Sequence, residues 1–418
     1  MSARPRVLIV GAGIGGLTLA LELHKAGFEC RIFEAAAELK PIGVGINILP
    51  HASRVLSGLG LEAELSRVGV TTQESVYYNR FGQHIFTEPA GRNAGYEWPQ
   101  YSIHRGDLQT VLARAVVDRL GPDALVTGHR CTSAEQDEHG VTVHFRLGSD
   151  EGAPTVSERA DAVVACDGVH SAIRKQLHPG EGAPRYSGYN MWRGVAPWEP
   201  VLSGASMIRA GWLATGKMVI YPIRDRVDEH GRQLVNWVAE IETPRHIDRD
   251  WNRSGQVEDF VHAFADWHFD WLDVPALIRS SQDILEYPMV DQDPLDSWGE
   301  GRITLLGDAA HPMVPRGSNG AGQAILDARA LVEALTAHAD DVRESFTAYE
   351  NERRPATAAV VQANRTNPPD AILREVYERT GDQPFEDIED VIPAADLESL
   401  IGRYKTVAGY SQEALARS

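Results

Sequence analysis

Cysteine is scarce here: three residues (Cys30, Cys131, Cys166) in a chain of 418. They lie far apart, and two sit in or beside apolar runs, which argues against a disulfide framework or a metal site and for small core thiols in a reducing compartment. Positive charge is also short. Asp and Glu outnumber Lys and Arg by 59 to 40, giving a formal charge of −19, and the pI near 5.2 argues against nucleic acid or an anionic membrane as partner. No apolar run approaches the ~20 residues of a membrane helix. MSARP leads straight into an apolar strand with no room for a signal peptide's core. No internal repeat or long low-complexity segment is present. A cytoplasmic, membrane-free protein with small-molecule partners is the expectation, and the length allows two domains sharing one ligand.

What the sequence does have is concentrated between Val7 and Glu34, where RVLIV is followed by GAGIGG, a helical pattern, a second apolar run and an acid. A buried parallel strand explains the first run, and Leu17, Ala20, Leu21 and Leu23 recur at roughly helical spacing. In such a βαβ unit Gly11 allows the tight turn off the strand, Gly13 lets a pyrophosphate approach bare backbone, and Gly16 lets the helix pack on the sheet. Unpaired N–H groups at the helix start favour phosphate. Glu34 stands where an acid accepts from an adenosine ribose. The unit predicts a bound dinucleotide.

Further on, Gly43 and Gly45 interrupt an apolar segment, a sign of a bulge or of backbone close to a ligand. A helical stretch to about Val68 precedes strands around the Arg80–Gly82 turn. Arg105 opens another helix, and its guanidinium suits either solvent or a phosphate or flavin edge. Short strands are expected around Leu125, Val141–Phe145 and Ala162–Cys166, the last ending at Asp167-Gly168, where ligands of α/β sheets sit. From about Pro184 to Ile241 strands follow one another, implying an antiparallel sheet, with a helix over Val257–Trp267. Tryptophans crowd this region, as a core or as flat slots for rings. A buried strand then ends at Gly307-Asp308, followed by the Pro/Gly loop Pro312–Gln323 and helices over about Gly320–His338 and Asp341–Asn364. Thr366–Ser418 has modest periodicity and reads as docked or loose.

The glycine triad with Glu34, the Asp167-Gly168 turn and the Gly307-Asp308 loop, in that order, resemble the three fingerprints of single-component flavin aromatic hydroxylases, the p-hydroxybenzoate hydroxylase class. The resemblance covers roughly residues 6 to 365. The runs GVGINI, QYSIHRG, MWRGV, LVNWV, EYPMVDQDPL and GRITLLGDAAH look most like phenazine hydroxylases, and salicylate hydroxylases are more distant. The class implies FAD, transient NADH or NADPH with no second Rossmann motif, and O₂ activated as a flavin C4a-hydroperoxide that hydroxylates an aromatic ring, with decarboxylation in some members. It implies an α/β fold: a Rossmann-like FAD-binding domain (1–75 with 100–183 and 292–365), an inserted substrate domain on a mostly antiparallel sheet (76–99 with 184–291), and a C-terminal helical or extended tail (366–418). A monomer or homodimer is expected.

Carried over position by position, cofactor contacts fall on Gly11, Gly13, Ile14, Gly16, Glu34, Ala35, Gly45, Arg105, Asp167, Gly168, Gly307 and Asp308, and along the flavin on Pro315, Gly317, Ser318, Asn319 and Gly320. Backbone N–H groups of that last loop suit negative charge on a reduced flavin. Catalytic candidates are Arg193, Pro315 and Tyr221. His104, His170 and His311 are candidate bases, though a lone histidine is more often structural, and a ring with no phenol requires none. The aromatic-rich sheet is expected to lid the flavin. Arg316 departs from the class, at a position expected to be uncharged, and points either to solvent or to a substrate acid. No metal site is expected. The halogenase signature Trp-x-Trp-x-Ile-Pro is absent, while a flavin oxidase or reductase and a non-catalytic flavin scaffold are the alternatives.

Overall fold

The structure, a computed structural model, describes residues 4–41, 43–148, 150, 152–243 and 253–417. Its first strand, Val7–Val10, is buried at every position and pairs in parallel with Ala162–Ala165 on one side and Cys30–Phe33 on the other. A strand covered on both faces needs an unbroken apolar run rather than an alternating one. Ile303–Leu305 and Leu125–Val126 extend the parallel sheet, and Gly299–Glu300 closes one edge as an antiparallel turn-back. Helix Ile14–Lys25 is buried from Ile14 to Leu23, because it lies between Arg105–Leu120 and Gly320–Ala337.

The expected, mostly antiparallel sheet has eight strands, in the order Arg253–Ser254, Ile284–Asp291, Arg185–Trp198, Gln233–Glu242, Gly216–Arg224, Ser206–Trp212, Glu74–Tyr78 and His84–Pro89, with Ser206–Trp212 and Glu74–Tyr78 paired in parallel. Successive side chains of a strand point to opposite faces, and here the two faces have different tasks. Trp192, Ala196, Ile208, Ala210, Met218, Ile220, Val235, Trp237 and Ala239 pack into one core with Phe260, Phe264 and Trp267. Their in-between neighbours Met191, Arg193, Met207, Arg209, Lys217, Val219, Tyr221, Val238 and Glu240 face a cavity. Trp192, Trp237 and Trp267 therefore fill a core on the far face, and the aromatic lid expected from sequence is replaced by a wall of methionine, valine, tyrosine and charge.

Three further differences have local causes. The helix expected over Val257–Trp267 is one α-turn, Val257–Phe260, followed by a 3₁₀ turn, Val261–Phe264, which together sink Phe260, Val261 and Phe264 into the core. Val141–Phe145 is the centre of a three-stranded sheet whose outer strands, His129–Asp137 and Thr155–Ala160, are mostly polar and solvent-facing and so carry little apolar signal. The C-terminal residues are docked and helical: Ala371–Thr380, Ile388–Val391, Ala394–Val407 and Gln412–Arg417. Ile372, Leu373, Val376, Leu397 and Ile401 pack with Tyr77 and Ile85 of the large sheet's edge.

Phe260 is fully buried and stacks on Trp192, with ring centroids 4.9 Å apart and planes 14° from parallel. Phe260→Ala is expected to cost about 3–5 kcal/mol, read as a lower denaturant midpoint.

Candidate functional site

The carboxyl ends of the parallel sheet and the charged face of the eight-stranded sheet enclose a cavity of about 1470 Å³. That exceeds the ~300–1,000 Å³ of a site for one drug-sized ligand, and matches a dinucleotide plus a second molecule. Every cofactor contact carried over from the resemblance except Gly16 lines it, as do Arg193 and Tyr221. Gly16 acts behind the wall, where a Cβ would collide with the Gly11 carbonyl oxygen. Gly11 itself has φ +99°, and a Cβ there would lie 2.6 Å from the Cys166 carbonyl oxygen, so the first turn and the Asp167 turn touch only through bare backbone.

Gly13 precedes helix Ile14–Lys25 with no side-chain cap, leaving the first N–H groups directed at the cavity end. Glu34 is fixed by the N–H groups of Ala12 (2.7 Å) and Ala36 (2.8 Å). Arg105 is the first residue of its helix, and its side chain makes no hydrogen bond or ion pair among the described residues. One Asp167 oxygen accepts from the Ala172 N–H (3.0 Å), while the other is buried without a partner, and burial raises its pKa. The pKa of Asp308, whose side chain opens onto the cavity, is likewise raised by desolvation, against the charges of His311 and Arg105. The Asp308 carboxylate has no hydrogen-bond partner among the described residues.

Sequence reasoning missed what holds this loop. Asp327, fully buried on helix Gly320–Ala337, accepts from the Gly307 N–H (3.1 Å), His311 Nε2 (2.5 Å) and Arg353 Nε (2.8 Å). Its signal was an acid at an otherwise buried helix position. His311 is thus a structural partner away from the cavity. His104 also serves structure, its Nδ1 accepting from the Gly106 N–H and its Nε2 lying 2.9 Å from the Gly43 carbonyl. His170 lines the cavity but is exposed.

The loop at Pro315–Gly320 turns through left-handed backbone at Gly317 (φ +72°) and Ser318 (φ +58°). Tyr404 of the C-terminal helices occupies the space a Gly317 Cβ would need, and its hydroxyl accepts from Asn319 Nδ2 (2.8 Å) and donates to Asn364 Oδ1 (2.7 Å). Across the cavity, Arg193 and Tyr221 (2.9 Å) both donate to the Gly45 carbonyl. Burial raises the Tyr221 pKa, with Arg193 opposing, so its phenol is protonated at neutral pH. Gly45 lines the cavity, and a Cβ on it would meet the Tyr221, Ile223 and Asn236 side chains.

Arg316 points inward. It is 8% exposed, lies 5.3 Å from the Tyr189 ring centroid and 3.2 Å from Asp370. Lys217 bridges Asp370 and Glu240. Burial alone would raise the Asp370 pKa, but Arg316 and Lys217 outweigh it and hold it well below the carboxylate range. Lys217, Glu240, Asp370 and Arg209 all line the cavity, and none was singled out in the sequence, because each lies within the run of strands read only as an antiparallel sheet or in the tail.

A Rossmann-type sheet whose three strand ends converge on one elongated cavity defines a dinucleotide-dependent α/β enzyme. The sequence profile of the FAD binding domain matches residues 4–364. The phenazine 1,6-dicarboxylic acid hydroxylase of Lysobacter antibioticus is 47% identical over 363 residues, covering 86% of this chain and 89% of that protein. The 3-amino-4-hydroxybenzoate 2-monooxygenase of Streptomyces platensis is 34% identical, over 87% of each. The structure of Klebsiella pneumoniae HpxO complexed with FAD and uric acid aligns with TM-score 0.73 at 25% identity, over 95% of this chain and 96% of that one. This chain belongs to the FAD binding domain family, and it is an FAD-dependent monooxygenase.

The residues present fit FAD. Bare backbone at Gly11 and Gly13 with a free helix N-terminus suits a pyrophosphate, and the unpartnered oxygens of Asp167 and Asp308 suit hydroxyl donors of a polyol.

Two outcomes follow from this geometry. Asp308→Ala is expected to lower FAD retention, measured as flavin absorbance per protein. Asp370→Asn leaves Lys217 and Arg316 short of a partner and is expected to cost about 3–5 kcal/mol at pH 7. Because the folded-state pKa of Asp370 is depressed, the wild-type advantage is full above the unfolded value of ~3.9. It is lost as pH falls below that value, which urea titrations at several pH values check.

Proposed function

We propose that this protein hydroxylates an aromatic, phenazine-like ring, using FAD reduced by NADH or NADPH and O₂, in the cytoplasm where reduced nicotinamide is maintained. The observation that carries the reading is the opposition of the two cavity walls: strand-end glycines and acids on one side, and Met191, Met207, Val219, Val238 and Tyr287 on the other. The relatives named above add the ring classes they act on.

In this reading residues 1–75, 100–183 and 292–365 form the cofactor-binding unit, and 76–99 with 184–291 the substrate-binding unit. Gly11, Gly13 and Ile14 take the pyrophosphate, with Gly16 packing behind them. Glu34, Ala35 and Arg105 take the adenosine half, and Asp167, Gly168, Gly307 and Asp308 the polyol chain. Pro315, Gly317, Ser318, Asn319 and Gly320 run along the ring, and Gly45 faces it with Arg193 and Tyr221. When bound, the flavin supplies two-electron reduction and the activation of oxygen.

The chain's own residues supply orientation, charge and dryness. The methionine and valine face excludes water, which would otherwise divert activated oxygen to peroxide. Arg193 brings a fixed positive charge to the Gly45 carbonyl, beside which negative charge on a reduced ring is stabilised. Tyr221 is a neutral donor there rather than a base. Among the described residues no histidine lies on the sheet face of the cavity. A phenazine has no phenol to deprotonate, so its hydroxylation runs without one.

FAD-loaded protein supplied with NADH and phenazine carboxylates is expected to consume O₂ and NADH faster than without a ring and to yield hydroxylated product. Peroxide in full yield with no product would instead make it an oxidase.

A further inference from the structure

Helix Gly320–Ala337 starts at the cavity, which Gly320, Ala321 and Ala324 of its first turns line. The N–H groups of a first turn have no intrahelical partner. Asparagine just before a helix is among the best suppliers of one, its side-chain oxygen accepting from the second or third helical N–H. Asn319 stands at that position and makes no cap. It is fully buried, and its Nδ2 is turned back to the Gly317 carbonyl (3.0 Å) and the Tyr404 hydroxyl (2.8 Å). Its Oδ1 lies beside the His51 ring without a well-formed hydrogen bond. A buried acceptor in that state is costly, so some contact must hold the amide away from the helix.

Tyr404 is placed to do so. It comes from helix Ala394–Val407, is 2% exposed, and lies where a Cβ on Gly317 would fall. Burial raises its pKa, against the bond from Asn319, so the hydroxyl keeps its proton at neutral pH. That proton goes to Asn364 Oδ1 (2.7 Å) on helix Val342–Thr366, which leaves the hydroxyl oxygen to accept from Asn319. The chain reaches Asn319 through left-handed backbone at Gly317 and Ser318, with the Tyr404 ring behind the turn.

We propose that Tyr404 is a positioning residue for the flavin: by holding the Asn319 side chain out of the capping position, it keeps the first N–H groups of helix Gly320–Ala337 unpaired at the cavity, where they stabilise negative charge on the reduced ring. This rests on the reading that the Pro315–Gly320 loop runs along that ring. Without the hydroxyl, the Asn319 oxygen takes a helix N–H and the reduced ring loses a donor. The residue responsible lies beyond 364, where the family match ends.

The test is the two-electron midpoint potential of FAD-loaded protein, measured without substrate by equilibration with a reference dye. Tyr404→Phe keeps the ring over Gly317 and removes only the hydroxyl. It is expected to weaken the preference for reduced over oxidised flavin about tenfold, a fall of about 30 mV. Adding Asn319→Ala, which has no oxygen to cap with, is expected to recover most of that fall. Asn364→Ala, which removes the hydroxyl's acceptor, is expected to shift the potential in the same direction, and it decides the question where Tyr404→Phe does not retain flavin. Leu397→Ala loosens the same helix where it packs with Tyr77 and Ile85, and is expected to lower the melting temperature and leave the potential in place. A potential unchanged by Tyr404→Phe, a fall that persists in the double variant, or an equal fall in Leu397→Ala overturns the proposal. Gly320→Pro deletes one N–H at a helix position where proline is tolerated, and separates the proposal from the reading beneath it. A shift there with none in Tyr404→Phe keeps the loop along the flavin and removes the part given to Tyr404, whereas no shift in either removes both.

Discussion

The site depends first on a single buried carboxylate. Asp327 collects the Gly307 N–H, His311 and Arg353 into one cluster, joining the strand end that presents Asp308 to the two long helices behind it. A charge so deep is tolerable only when paired and fully hydrogen-bonded. Once it is, the loop above has no freedom to drift, and an acid from late in the chain is held opposite a glycine turn from its start. The Gly11 contact with the Cys166 carbonyl does the same between the first and second motifs.

The second constraint is the twofold pleat of the large sheet. Its strands carry large apolar residues at one parity and a mixture of methionine, valine and charge at the other, so one set of hydrogen bonds supports both a dry core and a reactive wall. A shift of register by one residue would exchange the two faces entirely. The tryptophan stack around Phe260 makes that exchange costly, which places core packing directly in the service of cavity chemistry.

Much of the dinucleotide half was legible in the sequence, because its requirements are local: a glycine that must take φ +99°, a helix start, an acid at a strand end. Asp167 and Asp308 were legible for the same reason. The sheet wall was not. Lys217, Arg209 and Glu240 alternate with apolar residues and look like ordinary solvent-side positions until the cavity is known to lie over them. Arg316 was noticed as a misfit, but its partner Asp370 lies in a tail with weak periodicity, and no local rule links them. At Gly45 the need for glycine also has a cause invisible in the local sequence, the Tyr221, Ile223 and Asn236 side chains of strands far along the chain.

Tyr404 fills the notch over Gly317, and Asp370 reaches the cavity from the same C-terminal helices. The C-terminal helices are therefore part of the cavity's own wall rather than an accessory packed outside it. Substitutions at Tyr404 or Asp370 would reshape the cavity without touching any of the three nucleotide motifs.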